Sequence, residues 1–246
     1  MKRKAILIEA SKIPGLNDLP GARSDVNGFR RWLKSANGGA WDDGDITVLS
    51  HPTTATLEIH LAAVAKADYA FIAFSGHGEH VVGRLRNDTM IQINEYFCYS
   101  ANKLASGFKR GLIVVDSCRN VHYELSLNES IKYARAKSFT EDYNMRRRHR
   151  VLFDAAAQAA EEGVIFMFGC SLHQSANDFP NGGAFSFALV DQAESWIGRA
   201  SPADILDTLQ AFVRAKHFVE QEVTNQVPEM NGAIRRKIHF PFGVVA

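Results

Sequence analysis

Short apolar runs recur along the chain, with helical patterns between them. Ala5–Ile8, Ile46–Leu49, Tyr69–Phe74, Leu112–Val115 and Val164–Phe168 each read as a strand. They are rich in β-branched or aromatic residues and do not strictly alternate with polar ones, as expected of strands covered on both faces. Between them, Asp25–Lys34 sets Val26, Phe29 and Leu33 on one helical face, and residues 54–66 set Leu57, Leu61 and Val64 on another. Residues 151–161, 184–197 and 202–220 also read as helices, the last with Ser201 as cap and Pro202 at its first position. This alternation predicts an α/β fold with a mostly parallel sheet and helices on both faces. No repeat or low-complexity linker divides the chain, so residues 1–246 are read as one domain.

Two stretches break the alternation. Residues 79–97 carry Gly83 and the turn-prone pair Asn87-Asp88 between β-leaning runs, which predicts a hairpin. Residues 120–150 lack apolar periodicity. Within 132–150 seven Lys/Arg and two acids give a local charge of +5, leaving −4 for the rest of the chain, so this segment is read as exposed and irregular.

Composition narrows the function classes. The 246 residues are 46% hydrophobic and 22% charged, which excludes wholesale disorder, and their net charge of +1 gives no reason to expect nucleic acid or an anionic membrane. The odd set Cys98, Cys118 and Cys170 has no metal-ligand spacing and suits a reducing compartment. The apolar run before Glu9 is too short for a signal peptide. The expectation is a cytoplasmic protein without membrane or nucleic-acid partner.

Ligands bind open parallel sheets at the carboxyl ends of the strands. The third strand runs into Ser75-Gly-His-Gly78 and the fourth into Asp116-Ser-Cys-Arg119, so His77 and Cys118 emerge at one sheet edge. A thiolate is a nucleophile, and an imidazole beside it can take its proton and later protonate a leaving amine. The amides of Gly78 and Cys118 suit an oxyanion hole. The bland alternative is a buried thiol and a satisfied core histidine.

Phe74-Ser-Gly-His-Gly78 followed by Val114-Val-Asp-Ser-Cys-Arg119 resembles the caspase-like cysteine peptidases, particularly their metacaspase and paracaspase branch. The 41 residues between His77 and Cys118 are near the roughly 50 expected of caspases. Weaker likenesses follow in order: Leu19-Pro-Gly-Ala-Arg-Ser-Asp25, Gly169-Cys-Ser171, Gly182-Gly-Ala-Phe-Ser186, and Gln226-Val-Pro228 with Phe240-Pro-Phe-Gly243 as a closing strand. The resemblance implies a caspase-like sandwich of about six strands. Residues 1–135 would be its large-subunit-like half, 135–150 a basic segment open to processing, and 151–246 its small-subunit-like half. It implies a catalytic dyad of Cys118 as nucleophile and His77 as general acid/base. It also raises a calcium site at Asp42, Asp43 and Asp45, but these acids offer no full oxygen cage, so neither metal nor cofactor is expected.

The same resemblance bears on specificity. Caspases that cleave after Asp place an Arg where this chain has Leu19, whereas the metacaspase and paracaspase branch selects Arg or Lys with acids. Asp25 and Asp116 occupy two of those positions, and a carboxylate suits a guanidinium. A third acid is usual after the fifth strand; Ser171-Leu-His-Gln174 stands there, and Asp178 is the nearest carboxylate. The alternative makes Asp25 a helix-start residue stabilised by the dipole and Asp116 a brace for the Cys118 loop. Arg146, Arg147, Arg148 and Arg150 then become a candidate processing site, against a merely solvated charged face. The expected partners are a protein substrate and an upstream activating protease or sensor protein, in prokaryotic defence or cell death. Cys98 is read as core, Cys170 as packed, His80 as a solvated loop histidine, and the acids around Gly44 as a turn. The competing readings are a caspase-like interaction module that binds without cutting, and a hydrolase of small esters or amides.

Overall fold

In the computed structural model, which describes residues 1–83, 86–120, 143–198, 204–231 and 239–246, every predicted strand is present and extended by a few residues. The order is β1 (Arg3–Ala10), α1 (Pro20–Lys34), β2 (Ile46–Ser50), α2 (Thr54–Val64), β3 (Tyr69–Gly76), β4 (Gly78–Gly83), β5 (Arg86–Gln92), β6 (Cys98–Ser100) and β7 (Arg110–Asp116). Then come α3 (Tyr143–Ala159), β8 (Gly163–Phe168), β9 (Asp178–Phe179), β10 (Gly182–Gly183), α4 (Ala184–Glu194), β11 (Asp204–Asp207), α5 (Thr208–Glu222), β12 (Glu229–Asn231) and β13 (Pro241–Val245). No described helix is long and apolar enough to cross a membrane.

The central sheet has six strands in the order β12-β8-β7-β3-β1-β2. All its pairings are parallel except β12 on β8. Successive side chains of a strand point to opposite faces, and both faces here are covered. Ala5 and Leu7, Phe71 and Ala73, and Leu112 and Val114 enter one core with residues of α1, α3, α4 and α5. Ile6 and Ile8, Ile72 and Phe74, and Ile113 and Val115 enter the other, under α2 and the β4–β6 hairpins. The near-continuous apolar runs follow from this double cover.

Several boundaries correct the sequence reading. The helix expected over 202–220 begins at Thr208: Asp207 caps it, accepting from the Gln210 amide while the Gln210 side chain accepts from the Asp207 amide. Residues 204–207 instead form β11, paired with β13, and Ser201-Pro202 lies outside the described residues. Phe240–Gly243 therefore does not close the main sheet; β12 does. Asn87 and Asp88 lie inside β5, opposite Val82 and Val81, and form no turn. Cys98 is exposed, because it sits on β6, the edge of the small sheet.

The basic segment is corrected over residues 143–150, which form the first turns of α3. Arg146 donates to the Lys34 carbonyl at 2.7 Å, and Arg150 pairs with Asp42 and Asp45 at 2.5 and 3.4 Å. Asp43 pairs with Arg30 and Lys34. The acids around Gly44 thus form a capped 3-10 turn spent on arginines and a lysine. Residues 135–142 lie outside the described residues.

Candidate active site

Ser50 on β2, Glu9 on β1, Ser75 on β3 and Asp116 on β7 form one row of register partners across the carboxyl end of the sheet. His77 and Cys118 each follow two residues beyond the adjacent pair Ser75 and Asp116. Parallel strands lie about 4.8 Å apart, so the chain brings the two motifs side by side. Their loops touch at Gly78, where a Cβ would stand 2.6 Å from the Ser117 hydroxyl oxygen and 2.9 Å from its Cβ. Only a residue without a side chain allows this approach.

The imidazole of His77 contacts the Asn17 carbonyl through Nε2 at 2.8 Å. A carbonyl only accepts, so Nε2 carries the proton and, in the neutral ring, Nδ1 is left as the basic nitrogen. Burial pulls the imidazole below its ordinary value of 6.5, partly opposed by that bond to Asn17. Cys118 is half-buried, with its Sγ 3.8 Å from the Ala176 carbonyl. Burial raises its thiol above the ordinary value. Both shifts favour the neutral thiol and neutral imidazole over an ion pair.

The amide of Gly78 is directed by the β4–β5 ladder. The His77 carbonyl accepts from Gln92, its partner in register, so the next pair, Gly78 and Ile91, is not hydrogen-bonded. The even-numbered amides of β4 therefore point away from β5. The His80 amide shows where, donating to the Asn120 carbonyl in the loop that carries Cys118. The Gly78 N–H points toward the same loop, as an oxyanion hole shared with Cys118 requires.

Asp25 and Asp116 are brought together, each only 4% exposed. Asp25 accepts from the Ser75 hydroxyl at 2.6 Å and from the Gly183 amide at 2.9 and 3.0 Å. Asp116 accepts from the Ser186 amide at 2.8 Å, at the start of α4. Because α1 begins at Pro20, Asp25 lies in its second turn facing the sheet, which overturns the helix-start alternative. A Cβ on Gly183 would stand 2.6 Å from Asp116 Oδ2 and 3.1 Å from Asp25 Oδ2, so the Gly182-Gly183 pair is what admits both carboxylates.

Asp178 joins them. It accepts from the Gly21 amide at 3.0 Å, and its charge is felt at Asp25 as that of Asp116 is felt at Asp178. Burial, with Asp116 nearby, pushes Asp178 up to about 6. Burial and the Asp116 charge lift Asp25 well above the carboxylate range, and burial lifts Asp116. Among the described residues no lysine or arginine pairs with any of the three.

Behind Cys118, the buried Arg119 fastens the loop. Its guanidinium reaches Thr89, the Cys170 carbonyl and Glu229, and lies 4.0 Å over the Phe168 ring. His80 is buried, bonded to Asn87 and Thr89, and is no solvated loop histidine. Cys170 is packed as expected, its sulfur against the Ser117 and Gln174 carbonyls. The four arginines of 146–150 stand on α3 and take no part in this arrangement in the folded chain. Asn17 escaped sequence reasoning because it acts through a main-chain oxygen, which no side-chain pattern reports.

A family model described as the caspase domain matches residues 2–239. Among solved structures, caspase-1 from Spodoptera frugiperda superposes with a TM-score of 0.58 at 14% identity, covering 94% of this chain and 86% of that one. A protein from Geobacter sulfurreducens superposes with a TM-score of 0.58 at 16% identity over the full length of both. No curated protein matches the sequence. At these identities the structural likenesses speak for the fold, and the family match carries the assignment: this chain belongs to the caspase domain family, with a cysteine-peptidase-like fold.

Proposed function

We propose that the protein is a cysteine endopeptidase that cleaves polypeptides after a basic residue, arginine before lysine. The observation that carries this reading is the group of buried Asp25 and Asp116 with half-buried Asp178, beside the Cys118 loop and paired with no cation among the described residues. Buried carboxylates are costly unless a cation meets them. A guanidinium entering beside them would restore their charge and receive bidentate, charge-assisted bonds.

Chemistry at the adjoining dyad follows from the neutral pair. Nδ1 of His77 takes the proton of Cys118, and the sulfur forms a bond to the scissile carbonyl carbon. The oxygen, now negative, is met by the Gly78 and Cys118 amides. The C–N bond breaks as His77 returns the proton to the leaving amine, giving a thioester. Water, deprotonated by His77, then releases the acid and the free thiol. Placing the processing event at Arg146–Arg150 requires the first turns of α3 to open, so we assign activation to a partner protein before self-cleavage.

The test is hydrolysis of fluorogenic peptides ending in Arg, Lys, Asp or Ala by wild type and Cys118→Ala. Cleavage after Arg or Lys that vanishes in the variant is expected. Preference for Asp would discard the acidic pocket, and silence on every peptide, even after limited cleavage near residues 145–150, would favour a partner-gated zymogen or the interaction module.

A further inference from the structure

We propose that His51, at the end of β2, is a positioning residue for His77, acting through the β1–α1 loop. The proposal rests on the role given above to His77. Residues 14–18 of that loop are exposed, yet Asn17 must present its carbonyl to the His77 ring. The loop is tied down at its base. The Lys12 amide donates to His51 Nε2 at 3.1 Å, the Ser11 amide donates to Glu9 at 3.1 Å, and Leu19 closes back onto the Ser11 carbonyl at 2.8 Å. Ile13 is buried in the second core.

These bonds dictate one proton arrangement. Nε2 of His51 accepts from Lys12, so Nδ1 of the neutral ring carries the hydrogen and donates to the Ser50 hydroxyl at 3.0 Å. Ser50 in turn donates to Glu9 at 2.5 Å. Burial pushes Glu9 up, but bonds from Ser50 and Ser11 outweigh it and hold the carboxyl below its ordinary range. The other charged groups here are Lys12 and Asp18, 3.9 Å apart in the loop itself. His51 has φ of +46°, a left-handed conformation that is uncommon outside glycine and is kept here together with the bond to Lys12.

The same corner also serves the main chain of His77. The Pro52 carbonyl accepts from Asn94 Nδ2 at 2.6 Å, and Asn94 Oδ1 caps the Tyr96 and Phe97 amides in the turn after β5. Two residues before Asn94, the Gln92 amide holds the His77 carbonyl at 2.9 Å. Residues 50–52 thus anchor both supports of His77: the loop behind its ring and the hairpin behind its backbone.

Two variants separate positioning from bulk structure. His51→Gly accepts the left-handed backbone but offers Lys12 no acceptor; His51→Gln restores an acceptor at comparable reach. The expected result is a fall of about tenfold or more in kcat/KM for His51→Gly, from misplacement of the base, with recovery in His51→Gln. The imidazole titration of His77, followed by NMR, is read in parallel. Losing the Asn17 bond should move it to lower pH in His51→Gly and leave it in place in His51→Gln. An unchanged His77 titration in His51→Gly overturns the proposal, whether or not the protein cleaves peptides. Equal displacement in both variants also overturns it, since the acceptor would then be irrelevant. A titration that shifts as expected in a protein without Cys118-dependent hydrolysis supports the anchoring by His51 and counts against the peptidase reading of the isolated chain alone.

Discussion

Gly78 and Ser117 stand in direct contact, with the space for a Cβ at residue 78 only 2.6 Å from the Ser117 oxygen. That contact joins the loop after β3, which carries His77, to the loop after β7, which carries Cys118. Gly78→Ala should separate the loops and turn the residue 78 amide away from the carbonyl site. We expect kcat/KM to fall by about a hundredfold or more, and stability by about 1–3 kcal/mol from overpacking against Ser117 and the Met90 carbonyl. Peptide kinetics and a urea midpoint measure the two; full activity in the Gly78→Ala variant would exclude this amide from the mechanism.

The dyad should operate from its neutral form. With the His77 imidazole below 6.5 and the Cys118 thiol raised, kcat/KM should rise with pH as His77 loses its proton, and that limb should lie below pH 6.5. Measuring kcat/KM from pH 4 to 8 checks it, and Cys118→Ala should show no activity at any pH.

Asp178 should make the proposed pocket pH-sensitive at about 6. As pH falls through that value its charge is lost, and KM for a peptide ending in Arg should rise while that for a neutral residue stays level. Asp178→Asn should raise KM for the Arg peptide about tenfold at pH 7.5, the loss of one charge-assisted bond, and remove the pH step. A variant with unchanged KM would place the arginine on Asp25 and Asp116 alone.

Cation binding and stability should be linked. Asp25, Asp116 and Asp178 have folded-state values above their ordinary carboxylate range. The folded protein therefore favours protonated carboxyls, and the stability this contributes fades as pH rises through those values. An Arg-terminated peptide bound to Cys118→Ala should raise Tm more at pH 7.5 than at pH 5, where bound protons already neutralise the site. Calorimetry at both values decides it.

The first turns of α3 bear on processing. A protease cleft takes extended chain, whereas residues 146–150 are helical, with Arg146 fastened to Lys34 and Arg150 to Asp42 and Asp45. Purified protein that cleaves peptides should keep its bonds within 143–150 intact by mass spectrometry. Fragments ending at Arg146, Arg147, Arg148 or Arg150 would show that this end of the helix opens.

What could be read from the residues was whatever local pattern and one topological rule control. Apolar runs of strand length mark β1, β2, β3, β7 and β8, and crossover connections force their carboxyl ends to one side. His77 and Cys118 therefore share an edge in any such sheet, whatever their side chains do. Helix ends were less legible: Ser201-Pro202 is a good local start signal, but pairing with β13 took residues 204–207 into a strand and moved the cap to Asp207. Likewise α3 runs back to Tyr143 through arginines whose bonds to Lys34, Asp42 and Asp45 no periodicity discloses.

Residue order alone was enough for the α/β class, the sheet edge that carries His77 and Cys118, and two of the three carboxylates gathered beside it. The rest of the site came from packing. Asp178 reaches the others because Gly21, Gly182 and Gly183 leave room where α1 meets β9 and β10. Asn17 meets His77 because Glu9 and His51 hold its loop. Burial, charge coupling and main-chain acceptors arise from segments distant in the chain, so they exist only once those segments have packed together.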